Sequence, residues 1–223
     1  MASRTTAFEN RTDAGIRLAM ALRHLRGQDV LVLALPRGGV PVAFEVARAL
    51  HAELDLLFVR KLGAPGHEEL GIGAVVDGAN PQVVLNDELV RQIGVDRDYI
   101  DRTMQRELVE IERRRERYLG QRAPQPVSGR TIVLVDDGIA TGGTIRAALK
   151  GLRRNKPGRL ILAVPVAPAE IAAEIARDCD EFVCVATPQP FYAVGAHYQD
   201  FTQTSDEEVV RLLGEARSFA TAK

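Results

Sequence analysis

Two carboxylates stand side by side at Asp136 and Asp137, and a run of small and hydroxyl-bearing residues follows them, ending at Thr144. Adjacent aspartates can accept hydrogen bonds from vicinal hydroxyls. They can also hold Mg2+, directly or through its bound water. In the next stretch, Ala140, Thr141, Gly142, Gly143 and Thr144, the glycines let a ligand come close to the backbone and the threonines add hydroxyl donors. A strand before such a loop and a helix after it would aim free N–H groups and the positive end of the helix dipole into one small space. The spacing predicts a cradle for a phosphate monoester beside an acidic pair that grips a diol.

A second loop has the same character. Pro36, Arg37, Gly38 and Gly39 turn out of an apolar run, residues 30–35, into a helix predicted over 42–50. It is a second candidate anion site, and Arg37 can reach a phosphate. A strand predicted over 53–59 delivers Arg60 and Lys61 at its carboxyl end, where open α/β sheets bind ligands. Two cations there suit a pyrophosphate. Residues 62–70, rich in Gly and Pro and without a hydrophobic pattern, are expected to form a mobile loop. His67 in that loop is a candidate proton donor or anion contact. It begins no metalloprotease motif, because Gly71 stands where the second histidine would be.

The elements that must position these residues follow from periodicity. An amphipathic helix is predicted over 12–26, capped by Thr12 or Asp13 and ended by Gly27. A hairpin is predicted from 71–76 and 82–85, then a short helix capped by Asn86 or Asp87. Residues 96–119 form the longest helical stretch, with one apolar stripe that either packs on the core or makes a contact between two copies. The Arg113–Arg115 run on it is read as a solvated, salt-bridged face, neutralised by Glu107, Glu110, Glu112 and Glu116. Residues 121–129 are a connector. Further strands are predicted at 131–135, 160–164 and 182–185, with helices from Thr144 and over 169–177. Ser205 and Glu208 form a capping box for a last helix. This alternation implies an α/β fold with a mostly parallel twisted sheet and helices on both faces.

Composition narrows the function. At 223 residues and 46% hydrophobic, the chain is read as one domain with a substantial core. Core residues run from about 28 to 186, with an insertion over about 62–128 and a tail over about 187–223. A net charge of −1 provides no basic field for nucleic acid. Cys179 and Cys184 make neither a disulfide framework nor a zinc site, and are expected as buried thiols. The N-terminus shows no apolar leader and no segment is long enough to span a bilayer, so a cytoplasmic protein without membrane partners is expected.

The run 131–144, TIVLVDDGIATGGT, resembles the signature of the type I phosphoribosyltransferases: a hydrophobic strand, two acidic residues, a small residue and Thr-Gly-Gly-Thr. The resemblance implies that Asp136 and Asp137 hold the ribose hydroxyls of 5-phosphoribosyl-1-pyrophosphate (PRPP), with Mg2+ as cofactor. It also implies that Ala140, Thr141, Gly142, Gly143 and Thr144 hold the 5-phosphate. Arg37, Gly38, Gly39, Arg60 and Lys61 would take the pyrophosphate, with a non-proline cis peptide in the 36–39 loop and a lid near 62–70. In the same family a variable hood covers the acceptor base. Phe191, Tyr192 and Tyr198 are the candidates for stacking on a planar acceptor, or else they pin the tail to the core. Ala140 stands where the hypoxanthine-guanine branch carries an aspartate, which argues against a simple 6-oxopurine acceptor. The implied activity is transfer of the phosphoribosyl group to a nucleobase or related nitrogen. A non-catalytic PRPP-binding regulator is the alternative, and a homodimer is compatible with either. A hydrolase using the carboxylates would lack an evident nucleophile–base set.

Overall fold

The computed structural model describes residues 8–219, apart from the side chain of Glu68. Residues 1–7 of the stretch read as leaderless, and the tail end 220–223, lie outside them. The first helix, α1 (Arg11–Ala21), is capped by Asn10, whose side chain accepts from the Asp13 N–H, rather than by Thr12 or Asp13. It gives way to a 3-10 turn, Arg23–Leu25, before Gly27. Then come β1 (Val30–Ala34), α2 (Gly39–Leu50) and β2 (Glu53–Leu56). A second set follows: β3 (Val59–Ala64), β4 (His67–Val76) and β5 (Gln82–Leu85). After it come α3 (Asp87–Ile93) and α4 (Arg97–Leu119). The chain continues through β6 (Thr131–Val135), α5 (Gly143–Arg154), β7 (Arg159–Val166), α6 (Ala169–Ile175), β8 (Glu181–Ala186) and α7 (Asp206–Ala216).

The main sheet runs β2-β1-β6-β7-β8, every neighbouring pair parallel. Its strands are apolar on both faces, as a sheet covered by helices on both sides requires. Val32, Ala34, Val133 and Val135 join α1, α2, α4 and α7 in one core. Leu31, Leu33, Ile132 and Leu134 join α5 and α6 in the other. Pairing of Ala34 with both Leu56 and Val135 puts the carboxyl ends of β2, β1 and β6 at one level. Among the described residues, no helix is long and apolar enough to cross a membrane.

Several expectations are corrected. The strand predicted over 53–59 is two strands in different sheets, β2 ending at Leu56 and β3 starting at Val59. Arg60 and Lys61 therefore lie on the antiparallel sheet β3-β4-β5, not at the end of a core strand. The loop expected at 62–70 is instead a hairpin, in which β3 pairs with β4 through a bulge and Pro65-Gly66 makes the turn. His67 is exposed beside that turn. The apolar stripe of α4 packs on the core through Ile100, Ile111, Tyr118 and Leu119. The arginine run is not uniformly solvated. Arg113 and Arg114 pair with Glu110, but Arg115 is 3% exposed and its guanidinium bonds Asp55, Asp77 and the Leu56 carbonyl. Cys179 and Cys184 are free and only half-buried.

Candidate functional site

Because β1 and β6 are parallel neighbours in register, the chain leaves both at the same edge of the sheet. Residues 36–39 follow one strand and the acidic pair follows the other. The Leu35 N–H donates to the Val135 carbonyl at 3.0 Å and closes the two strand ends together. The approach beyond them is close enough to demand glycine. A β-carbon on Gly38 would lie 2.1 Å from Oδ2 of Asp137. The cis peptide expected in this loop is present, between Pro36 and Arg37.

Helix ends distinguish these loops from others in the fold. Asn10, Asn86, Asp96 and Ser205 each cap their helix with a side chain. Gly38 before α2 and Gly142 before α5 offer no side-chain cap, nor does Pro168 before the short α6. The first N–H groups of α5 are thus left for a ligand at its positive end, whereas at the start of α2 the Gly39 and Val40 N–H groups donate to the Leu35 and Arg37 carbonyls at 3.0 and 3.1 Å. Gly142 has φ +78, and a β-carbon there would meet Ile175 at 2.5 Å. Ala140, Thr141, Gly143 and Thr144 are exposed on this turn.

The acidic pair is unequal. Asp136 accepts the Asp137 N–H at 2.9 Å through Oδ1. Asp137 accepts Arg11 Nε at 2.8 Å through Oδ2, and its carbonyl accepts the Tyr198 hydroxyl at 2.5 Å. Burial, then the neighbouring charge of Asp137, push the Asp136 carboxyl well above the usual carboxylate range. Burial also raises Asp137, against the pull of Arg11. Two such groups welcome a cation or hydroxyl donors. Among the described residues, no group of three or more His, Cys, Asp or Glu is arranged around a metal site. The donor set fits Mg2+, which is usually bound by one or two carboxylates with substrate phosphates and water completing its shell.

The predicted cations are distributed unevenly. Lys61 lines a cavity of ≈710 Å³ between the second sheet and α5, together with Gly73, Thr141, Gly143 and Thr144. Its ammonium contacts Glu69 at 3.1 Å, a fully exposed partner that holds it weakly. Arg60 is turned toward α4, where Glu107 accepts from it at 2.9 Å. Arg37 meets Asp206 at 3.3 Å, and Asp206 also accepts from Tyr118 and Arg117. Both arginines are thus held by protein carboxylates.

The three tail aromatics separate. Phe191 packs on His197 and lines a cavity of ≈560 Å³ beside Pro168 and Pro188. Tyr192 is 74% exposed. Tyr198 is corrected as a stacking residue, because its ring is 4% exposed and lies against Phe8 and Phe201. It pins the tail and steadies Asp137. A more apolar cavity of ≈310 Å³ sits at the other end of α5, beside Leu152 and Asn155. Asp55 and Asp77 on its wall are already bonded to Arg115, so it offers no free charged group of that pair. Arg11 was not singled out in the sequence: 126 positions separate it from Asp137, and no local pattern carries that pairing.

A family profile described as "Phosphoribosyl transferase domain" matches residues 5–199. Two curated proteins of Mycobacterium tuberculosis that carry phosphoribosyl transferase names are each 50% identical over 216 residues, covering 96% of this chain and 48% of theirs. The chain spans about half the length of these curated relatives, 48%. A crystal structure of a Thermus thermophilus protein is similar at 44% identity and a TM-score of 0.80, over 93% of this chain and 98% of that one.

Proposed function

The chain belongs to the phosphoribosyl transferase domain family, and we propose that it moves the phosphoribosyl group of PRPP to a nucleobase or related nitrogen nucleophile, releasing pyrophosphate with the help of Mg2+. One observation carries the reading. The loop at Gly38 and the carboxylate of Asp137 meet at a distance only glycine tolerates, at the sheet edge where two helices begin without side-chain caps.

In this reading the 5-phosphate rests on the N–H groups at the start of α5, with Thr141 and Thr144 adding hydroxyls. Asp136 and Asp137 accept the ribose hydroxyls and fix the ring, so that C1 faces the acceptor. The 36–39 loop and the start of α2 take the pyrophosphate, with Arg37 near by. Asp136 and Asp137 would hold Mg2+, which when bound would supply positive charge to the leaving pyrophosphate. Lys61 faces the phosphate turn across the cavity and adds charge there. Departure of pyrophosphate builds oxocarbenium character at C1, which the ring nitrogen of the acceptor then satisfies. Phe191 and Tyr192 are the tail residues offered to a planar acceptor, and Ala140 leaves the purine N7 of a 6-oxopurine without an aspartate partner.

The test is incubation with PRPP, Mg2+ and a panel of bases while pyrophosphate release is followed. Release with one base supports the reading and names the acceptor. PRPP binding without release by any base favours the second reading, a non-catalytic PRPP-binding regulator. The pairing of Arg37 and Arg60 with Asp206 and Glu107 is the observation that suits it. Absence of PRPP binding overturns both.

A further inference from the structure

We propose that Arg11 is the positioning residue of Asp137, holding one carboxylate oxygen so that the other is presented to the sugar. The inference rests on the PRPP reading of the site.

The guanidinium is held on three sides. Its Nε donates to Asp137 Oδ2 at 2.8 Å, its Nη1 donates to the Thr202 carbonyl at 2.7 Å, and its carbon lies 3.9 Å from the centroid of the Phe201 ring. Only 11% of the Arg11 side chain and 15% of the Asp137 side chain are exposed. The Phe201 ring in turn lies 5.0 Å from Tyr198, whose hydroxyl holds the Asp137 main chain. Side chain and backbone of one carboxylate are therefore fixed by a single cluster built from the start of α1 and the tail. Gly38 also abuts this Oδ2. Oδ1 is the oxygen left to face a ligand.

Adjacent carboxylates repel, and an unpaired Asp137 would rotate away from Asp136. A guanidinium suits the task because its divergent N–H groups satisfy two acceptors at once, which an ammonium on a flexible stem does with less constraint.

The experiment is a double-mutant cycle on the PRPP dissociation constant, measured by calorimetry on the full chain with and without Mg2+, alongside melting temperatures. Arg11→Gln is expected to weaken PRPP binding about tenfold, the scale of a lost charge-assisted hydrogen bond. Arg11→Lys should weaken it less. In an Asp137→Asn background, Arg11→Gln should cost nothing further, because the carboxylate it positions is gone. Equal losses in both backgrounds, or wild-type affinity in Arg11→Gln, overturn the role of Arg11. Should Arg11→Gln fail to fold, Arg11→Lys carries the same comparison. No PRPP binding by the wild-type chain would overturn the reading of the site itself, a result distinct from either.

Discussion

Arg115 Nη1 donates to Asp77 Oδ2 at 2.8 Å, and Nη2 donates to Asp55 Oδ1 at 3.2 Å, all within the protein interior. One side chain of α4 thereby joins the end of β4 to β2, the strand beside β1. Taking the arginine away strands two buried carboxylates. Arg115→Met is expected to lower the unfolding free energy by about 3–5 kcal/mol. Urea titration measures it, and a loss below about 1 kcal/mol would mean that solvent reaches the cluster.

Asp77 also sets a pH dependence. Burial pushes its carboxyl up to about 6, against the opposing Arg115 charge. The folded chain therefore binds this proton more tightly than the unfolded chain, whose aspartate titrates near ~4. The stabilising contribution of the protonated group is fully present below about pH 4 and is lost as pH rises through about 6. The stability of wild type relative to Asp77→Asn should grow by at most about 3 kcal/mol on acidification across that window. A difference that stays flat with pH, in paired urea titrations, counts against the shift.

Gly38→Ala tests the contact between the two loops. Its methyl group would overlap Asp137 Oδ2, which Arg11 prevents from swinging aside. Either the carboxylate or the 36–39 loop must move, at about 1–3 kcal/mol of stability. PRPP affinity should fall about tenfold or more. Unchanged affinity by calorimetry would show that this edge is not where the sugar binds.

Thr144→Val keeps the shape and removes one hydroxyl from an exposed position at the start of α5. Stability should change by no more than about 0.5 kcal/mol. Affinity for PRPP, and for inorganic phosphate as a minimal probe, should drop by roughly tenfold. Equal phosphate affinity in wild type and variant would remove the hydroxyl from the cradle.

What could be read in advance was local. The β6 run, the small-residue turn and α5 announce themselves within fourteen consecutive residues, 131–144. Asn86 and Ser205 sit at helix starts as their side-chain chemistry requires. The unread parts depend on distance along the chain. Arg11 reaches Asp137 across 126 positions and Arg115 reaches Asp55 across 60, so no local pattern names either partner. Arg115 stands between neighbours that do point to solvent, and the helix period alone turns it inward. The segment 62–70 gives no strand signal because Gly63, Pro65 and Gly66 interrupt it and no apolar pattern runs through it, yet the pairing of β3 with β4 supplies the order that propensity does not. For Tyr198 the sequence leaves stacking on an acceptor and pinning of the tail both open, because an aromatic in a loop-like stretch carries no sign of which faces are already covered; burial against Phe8 and Phe201 selects the second.

The three-stranded sheet has a consequence for anyone wishing to trim this chain. Leu62, Ile72 and Val75 belong to the same apolar cluster as β1 and α2, while Val76 and Val84 belong to the cluster beneath α5. Both halves of the interior therefore extend into it. Cutting residues 59–85 down to a short linker would not return a minimal scaffold with its interior intact; it would uncover the underside of the helix that begins after Gly142, and leave Arg115 without one of its two carboxylate partners.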